Sequence, residues 1–121
     1  MTVKILHVED NPANRMLVRD LLEFHGYAVV EVFDGERALA IVEGERPNLI
    51  LMDVELPDMS GLEVTRRIKT RPDLQRIPII ALTSIAGGES KAAAAGCDAY
   101  LGKPYRPRDL LQTIRRLLPP L

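Results

Sequence analysis

The sequence predicts an α/β fold, a doubly wound five-stranded parallel sheet with five helices. Three observations predict it. Short apolar runs alternate with helix-period segments from one end of the chain to the other. Capping residues and breakers fall between those segments. The third apolar run is nearly unbroken, as a central parallel strand covered on both faces requires. Alternating βα units of this kind close as a parallel sheet with helices on both sides.

Residues 3–8, VKILHV, make the first strand. Asn11 offers an N-cap and Pro12 suits the first helical position. Leu17, Leu21 and Phe24, flanked by Val18 and Leu22, give the first helix its apolar face, and Gly26 stops it. AVVEV, 28–32, is the second strand. Asp34 caps a second helix carrying Ala38, Leu39 and Val42, which ends near Gly44. NLILMD, 48–53, is the third and central strand. After the loop VELPDM, Ser60 and Glu63 form a capping-box pattern opening a third helix through Ile68. IPIIALT, 77–83, is the fourth strand, and an Ala-rich stretch near 89–95 is the fourth helix. DAYLG, 98–102, is the fifth strand. The last helix runs from Pro107 to Leu118 with Leu110, Leu111, Ile114, Leu117 and Leu118 on its core face, and Pro119 and Pro120 end it.

The chain has 121 residues, the size of one domain with a core of its own. A net charge of −1 argues against a dedicated nucleic-acid binder, which needs a basic surplus. Cys97 is the single cysteine, so neither an internal disulfide nor a cysteine metal cluster is available, and a small, buried apolar role is expected for it. No apolar run reaches the roughly 20 residues of a membrane span. The opening MTVKILHVED lacks a signal-peptide pattern, so no membrane partner and a cytoplasmic location are expected. His7, inside a strand, and His25, near a helix end, are read as structural.

In open parallel sheets, ligands lie beyond the carboxyl ends of the strands. Strand one ends in Glu9 and Asp10, strand three in Asp53, strand four in Thr83 and Ser84, and Lys103-Pro104 follows strand five. Phe33 and Asp34, after strand two, are expected to lie off the site. If strands one and three are neighbours, three carboxylates meet. Their mutual repulsion raises their pKa values, and a hard divalent cation relieves it. Magnesium suits an all-oxygen set, and manganese can substitute. Asp10 and Asp53 are assigned as direct ligands, the backbone carbonyl of Glu55 as a third, and Glu9 as acting through a water. Asp53, at the end of the central strand, is the best nucleophile for an aspartyl phosphate. Lys103 and the cation neutralise charge on the transferred oxygens, and the Thr83 hydroxyl donates to one of them.

Taken together, V-E-D-N (8–11), L-I-L-M-D (49–53), L-P-x-x-S-G-L-E-V (56–64), P-I-I-A-L-T (78–83), G-C-D-A-Y (96–100) and K-P (103–104) resemble the receiver domains of bacterial response regulators over essentially the whole chain. The resemblance implies one receiver domain spanning 1–121, of the CheY-like class, with strand order 2-1-3-4-5. It implies Asp53 as phosphoacceptor, Glu9 and Asp10 as the acidic pair, and Thr83 and Lys103 as the signalling hydroxyl and lysine. It also implies a cis Lys103-Pro104 peptide, and Tyr100 as the aromatic switch that moves inward with Thr83. The implied phosphodonor is a histidine kinase or histidine phosphotransfer protein, and output passes through the face of helix 4, strand 5 and helix 5 to a protein target. Arg106 and Arg108 border that face. Between Thr83 and Cys97 the chain is shorter than the family pattern, with Ser84 in place of the usual alanine, so a short or displaced fourth helix is expected.

Three other readings have distinct signatures. A phosphate-independent receiver-like scaffold would keep the fold and lose part of the site, whereas Asp10, Asp53, Thr83 and Lys103 are all present. A flavin domain needs a phosphate-cradling loop after strand one, where this chain has Glu-Asp-Asn-Pro. An aspartyl phosphohydrolase needs a second acid two residues after its nucleophile, and Pro12 stands there relative to Asp10.

Overall fold

Five strands and five helices alternate along residues 2–118, the part described by the computed structural model. They are β1 (Lys4–Val8), α1 (Pro12–Phe24), β2 (Ala28–Val32), α2 (Gly35–Glu45), β3 (Leu49–Asp53), α3 (Gly61–Lys69), β4 (Ile79–Thr83), α4 (Gly88–Ala95), β5 (Ala99–Gly102) and α5 (Pro107–Leu117). The strands pair in parallel in the order β2-β1-β3-β4-β5. β3 and β4 are buried throughout, whereas the edge strands β2 and β5 are only partly covered. Each expected element is present, with ends shifted by a residue or two. The proposed stop at Pro119-Pro120 lies outside the described residues.

Strand alternation divides the core into two layers. Ile5, Leu49, Leu51, Ile80 and Leu82 face α1 and α5 and pack on Val18, Leu22, Leu110 and Ile114. Leu6, Val8, Ile50, Met52 and Ile79 face α2 and α3 and pack on Ala38, Val42, Val64 and Ile68. A smaller cluster of Leu62, Ala81, Ala92 and Ala95, with Tyr100 against it, seats α4.

Two local expectations are corrected, at α1 and α3, and the end of α2 is refined. In α1 the buried residues are Val18 and Leu22, while Leu17 is 69% and Phe24 84% exposed. Two apolar stripes share that helix, and the approach of α1 to the sheet buries the second one. Helix α2 runs through Gly44 to Glu45 and closes at Arg46, which adopts a left-handed φ of 45°. Pro47 ends it there, because the residue before a proline is barred from the helical region. At α3 only half of the capping box forms. Ser60 Oγ accepts from Leu62 N at 3.1 Å, but the Glu63 carboxylate turns away to Arg67 at 3.0 Å.

Asn11 caps α1 as expected, accepting from the amides of Ala13 and Asn14, and Asp34 accepts from Arg37 N at α2. The sequence gives no hint that Asp58 also accepts from Gly35 N (2.9 Å) and Glu36 N (2.8 Å), pinning the loop after β3 to the start of α2. Leu117 and Leu118 are partly buried beside the fully covered Leu110 and Ile114. Helix α4 is eight residues long, the short element expected, entered through Gly87 at φ 78° and left through Gly96 at φ 101°.

Candidate active site

The acidic residues meet because of strand parity. Ile5 and Leu49 lie on the α1/α5 face, so residues 7 and 9, and 51 and 53, fall on that face too. Glu9 and Asp53 therefore emerge side by side above β1 and β3, each almost wholly buried at 2% and 3% exposure. Asp10, the next residue, is exposed at the rim. One carboxylate oxygen from each of Glu9, Asp10 and Asp53 lies within 4.8 Å of the others. Lys103 reaches over the cluster, with Nζ 3.2 Å from Glu9 Oε1 and 3.4 Å from Asp53 Oδ1. The Lys103-Pro104 peptide is cis.

Backbone and side-chain donors hold this geometry. Glu55 N donates to Asp53 Oδ1 at 3.3 Å. Asn11 N donates to Glu9 Oε2 at 3.2 Å, and Asn14 Nδ2 to Glu9 Oε1 at 3.4 Å. Arg15 Nη1 donates to the Glu9 carbonyl at 2.9 Å, and its guanidinium lies 4.1 Å from the Phe33 ring centroid. Gly61 must lack a side chain, since a Cβ there would meet the Asp53 carbonyl oxygen. None of Asn14, Arg15 or Gly61 was singled out by sequence. Their only signal is proximity in the chain to the acidic loops, which fixes no direction.

The electrostatics follow from crowding. Burial, and after it the negative charge of Glu9, push Asp53 up to about 7. Burial works against the charge on Glu9 as well, but hydrogen bonding to Asp53 and the Lys103 ammonium hold it below the usual carboxylate range. The pair therefore gives up its second proton near neutral pH. Burial opposes the charge of Lys103, yet the Asp53 and Glu9 carboxylates keep its pKa above the ordinary value. An all-oxygen, net negative donor set with a proton to displace fits a hard divalent cation.

Thr83 and Tyr100 stand on the other side of the sheet from Asp53. Asp53 pairs in register with Leu82, so Thr83, the next residue, points with Ala81 toward α4. Its hydroxyl does not contact the acidic cluster but donates to Glu55 Oε1 at 2.9 Å. Tyr100 is half-buried, with its ring beside Gly88 and its hydroxyl near Gly102. Thr83 and Tyr100 thus both border the first turn of α4. Arg106 and Arg108 are exposed. Phe33 and Asp34 carry no contact to the acidic cluster. Between α1 and the loop after β5, a cavity of about 540 Å³ opens beside Lys103, lined by Leu17, Val18, Leu21, Tyr105 and Leu110.

The two histidines and the cysteine have no place in this site. His7 is buried under α1 with neither ring nitrogen hydrogen-bonded, and burial lowers its pKa to about 4. His25 closes α1 beside Arg115. Cys97 is partly buried, not fully, and burial raises its thiol pKa. Among the described residues no helix is long and apolar enough to cross a membrane.

Residues 5–115 match the family model described as the response regulator receiver domain. The chain belongs to that family. A curated relative, the polar-differentiation response regulator DivK of Brucella ovis, is 42% identical over 120 residues, covering 98% of each chain. Among solved structures, the chemotaxis protein CheY4 of Vibrio cholerae superposes with a TM-score of 0.90 at 32% identity, covering 98% of this chain and 100% of its own. The receiver domain of the sensor histidine kinase PA1611 of Pseudomonas aeruginosa gives a TM-score of 0.88 at 37% identity over 97% and 98% of the two chains. That structure has a magnesium ion coordinated in its active-site cleft. The receiver described here is accordingly a phosphoacceptor in two-component signalling, which implies dealings with histidine kinases and downstream targets.

Proposed function

We propose that the chain acts as one receiver domain that catalyses transfer of a phosphoryl group from phosphohistidine to Asp53. The observation that carries this is the convergence of Glu9, Asp10 and Asp53 within 4.8 Å under the Lys103 ammonium. Magnesium, or manganese in its place, would be held by Asp10, Asp53 and the Glu55 carbonyl, with Glu9 acting through a water. When bound, the cation supplies charge neutralisation at the phosphoryl oxygens.

Asp53 must be ionised to act. One of its oxygens is engaged by Glu55 N and Lys103, which leaves the other to attack phosphorus. The new O–P bond forms as the P–N bond breaks, and the imidazole leaves with the electron pair. Lys103 is in place before transfer, so charge developing on the phosphoryl oxygens meets a preorganised donor. Hydrolysis ends the state: water attacks phosphorus, the Asp53 O–P bond breaks, inorganic phosphate leaves, and Asp53 returns to its free carboxylate.

Output passes through the α4-β5-α5 face. The support is contact: a Cβ on Gly88, at the start of α4, would lie 2.7 Å from Thr83 Cγ2 and 3.1 Å from the Tyr100 ring. A shift of Thr83 toward a phosphoryl group is therefore felt by both α4 and Tyr100, with Arg106 and Arg108 at the border available to a protein target. This reading places the chain in the cytoplasm, where a histidine kinase makes phosphohistidine from ATP.

The test is phosphotransfer from acetyl phosphate and from a panel of histidine kinases, with magnesium, to the chain and to Asp53→Asn. The parent acquires a base- and hydroxylamine-labile phosphate and the variant none. Equal labelling of the two overturns the assignment of Asp53, and no labelling of a folded parent by any donor favours a constitutive scaffold.

A further inference from the structure

Outside the acidic cluster, three donors converge on one oxygen. Thr83 Oγ1 donates to Glu55 Oε1 at 2.9 Å, and Ser84 N and Ser84 Oγ donate to the same atom at 3.2 Å each. Thr83 Oγ1 itself accepts from Ile85 N at 3.1 Å, which directs its proton to Glu55. Thr83 is 1% exposed, so water does not compete for that proton. Two hydroxyls and an amide aimed at a single carboxylate oxygen form an anion receptor, and a phosphoryl oxygen would accept from the same groups.

Glu55 follows Asp53 by two residues, and its amide bonds the Asp53 carboxylate. The receptor's occupant, Glu55, and the acceptor, Asp53, therefore share one tight turn. A phosphoryl group on Asp53 brings a charge of about −2 against the carboxylate of Glu55. Both anions need the same donors, and only one can have them.

We propose that the Glu55 carboxylate is a built-in occupant of the phosphoryl-oxygen receptor, held by Thr83 and Ser84 in the unphosphorylated protein and expelled on phosphorylation. This rests on Asp53 being the acceptor. Glu55 is thus a positioning residue: it holds Thr83 against the first turn of α4 until the phosphoryl group takes its place. The sequence reading assigned only the Glu55 carbonyl, because nothing in a non-periodic loop tells where its side chain will turn.

The probe is beryllofluoride with magnesium, a phosphoryl analogue, bound to the full chain and followed by fluorine and amide NMR. Glu55→Ala is expected to bind it roughly tenfold tighter than the parent, the net worth of one hydrogen bond to a charged group. In a Thr83→Ala background the same substitution is expected to gain severalfold less, since one of the competing donors is gone. Glu55→Gln, which keeps an oxygen for Thr83 and Ser84, falls between the parent and Glu55→Ala. In the protein without ligand, the Ser84 amide resonance shifts on Glu55→Ala. An equal gain with and without the Thr83 hydroxyl would mean simple charge repulsion and would overturn the proposal, as would an unmoved Ser84 amide. A folded parent that binds no beryllofluoride would instead refute the Asp53 reading and, with it, the expulsion step; the Ser84 shift separates that failure from absence of the contact.

Discussion

Lowering the pH should weaken magnesium binding through one identified proton. Asp53 sits at about 7 because it is buried beside the charge of Glu9. A cation that needs the Asp53 carboxylate must displace that proton. The ionised fraction of a group at about pH 7 is about 1 in 11 at pH 6 and about 10 in 11 at pH 8, so the apparent affinity rises about tenfold between them. The sign for stability is the reverse in metal-free protein. A carboxyl raised on folding stabilises the native state when protonated, so that contribution is complete below about pH 4 and is lost as pH rises through about 7. Saturating magnesium removes the loss. The chain has three tyrosines and no tryptophan, so calorimetry in buffers of differing ionisation enthalpy is preferable to intrinsic fluorescence. It should register close to one proton released per magnesium at about pH 6 and close to none at about pH 8. In Glu9→Gln the neighbouring charge is gone while the burial remains, so the Asp53 pKa falls and the transition moves to lower pH. Equal affinities at the two pH values, with no proton released at the lower one, would refute this reasoning.

Other consequences are equally open to measurement. His7, neutral in the fold with a pKa of about 4 against 6.5 when unfolded, binds its proton more readily in the unfolded chain. Stability is therefore lost as pH falls from 6.5 toward 4, by about 2 kcal/mol between about pH 7.5 and about pH 5, and urea unfolding of His7→Leu should lack that component. Leu22→Ala should cost about 2–5 kcal/mol, while Leu17→Ala should cost less than about 0.5 kcal/mol, a contrast that reports which stripe of α1 is buried. Gly61→Ala should destabilise by about 3 kcal/mol in denaturant titration and weaken magnesium binding, because the new Cβ forces the Asp53 carbonyl aside. Unchanged metal affinity in a folded Gly61→Ala would show that the loop yields without disturbing the site.

Much of the fold was open to reading in one dimension. The nearly unbroken run LILMD (49–53) suits a strand covered on both faces, and it is the buried centre of the sheet. Caps at Asn11 and Asp34 are local events between neighbours in the chain, and both formed. The misreadings arose where local signals were degenerate. Leu17, Leu21 and Phe24 have the same helical spacing as a core face, and periodicity cannot tell one apolar stripe from another one residue away. Ser60 and Glu63 have the spacing of a capping box, but Arg66 and Arg67 compete for the glutamate from the next turn.

The site divides along the same line. Residue types at strand ends are one-dimensional facts, and they name Glu9, Asp10, Asp53, Thr83 and Lys103 as the chemical groups on hand. Strand order and parity are three-dimensional, and they decide that Glu9 and Asp53 share one face while Thr83 takes the other. Packing alone turned Glu55 toward Thr83 and Ser84 and closed Asp58 over the start of α2, since a loop side chain goes where unpaired donors happen to stand. The sequence by itself determined which charges this protein possesses and the alternation that lifts them to one edge of a sheet. Only the tertiary structure decided which of those charges lose their water to one another, because desolvation and hydrogen bonding act over a few ångströms in space and not along the chain.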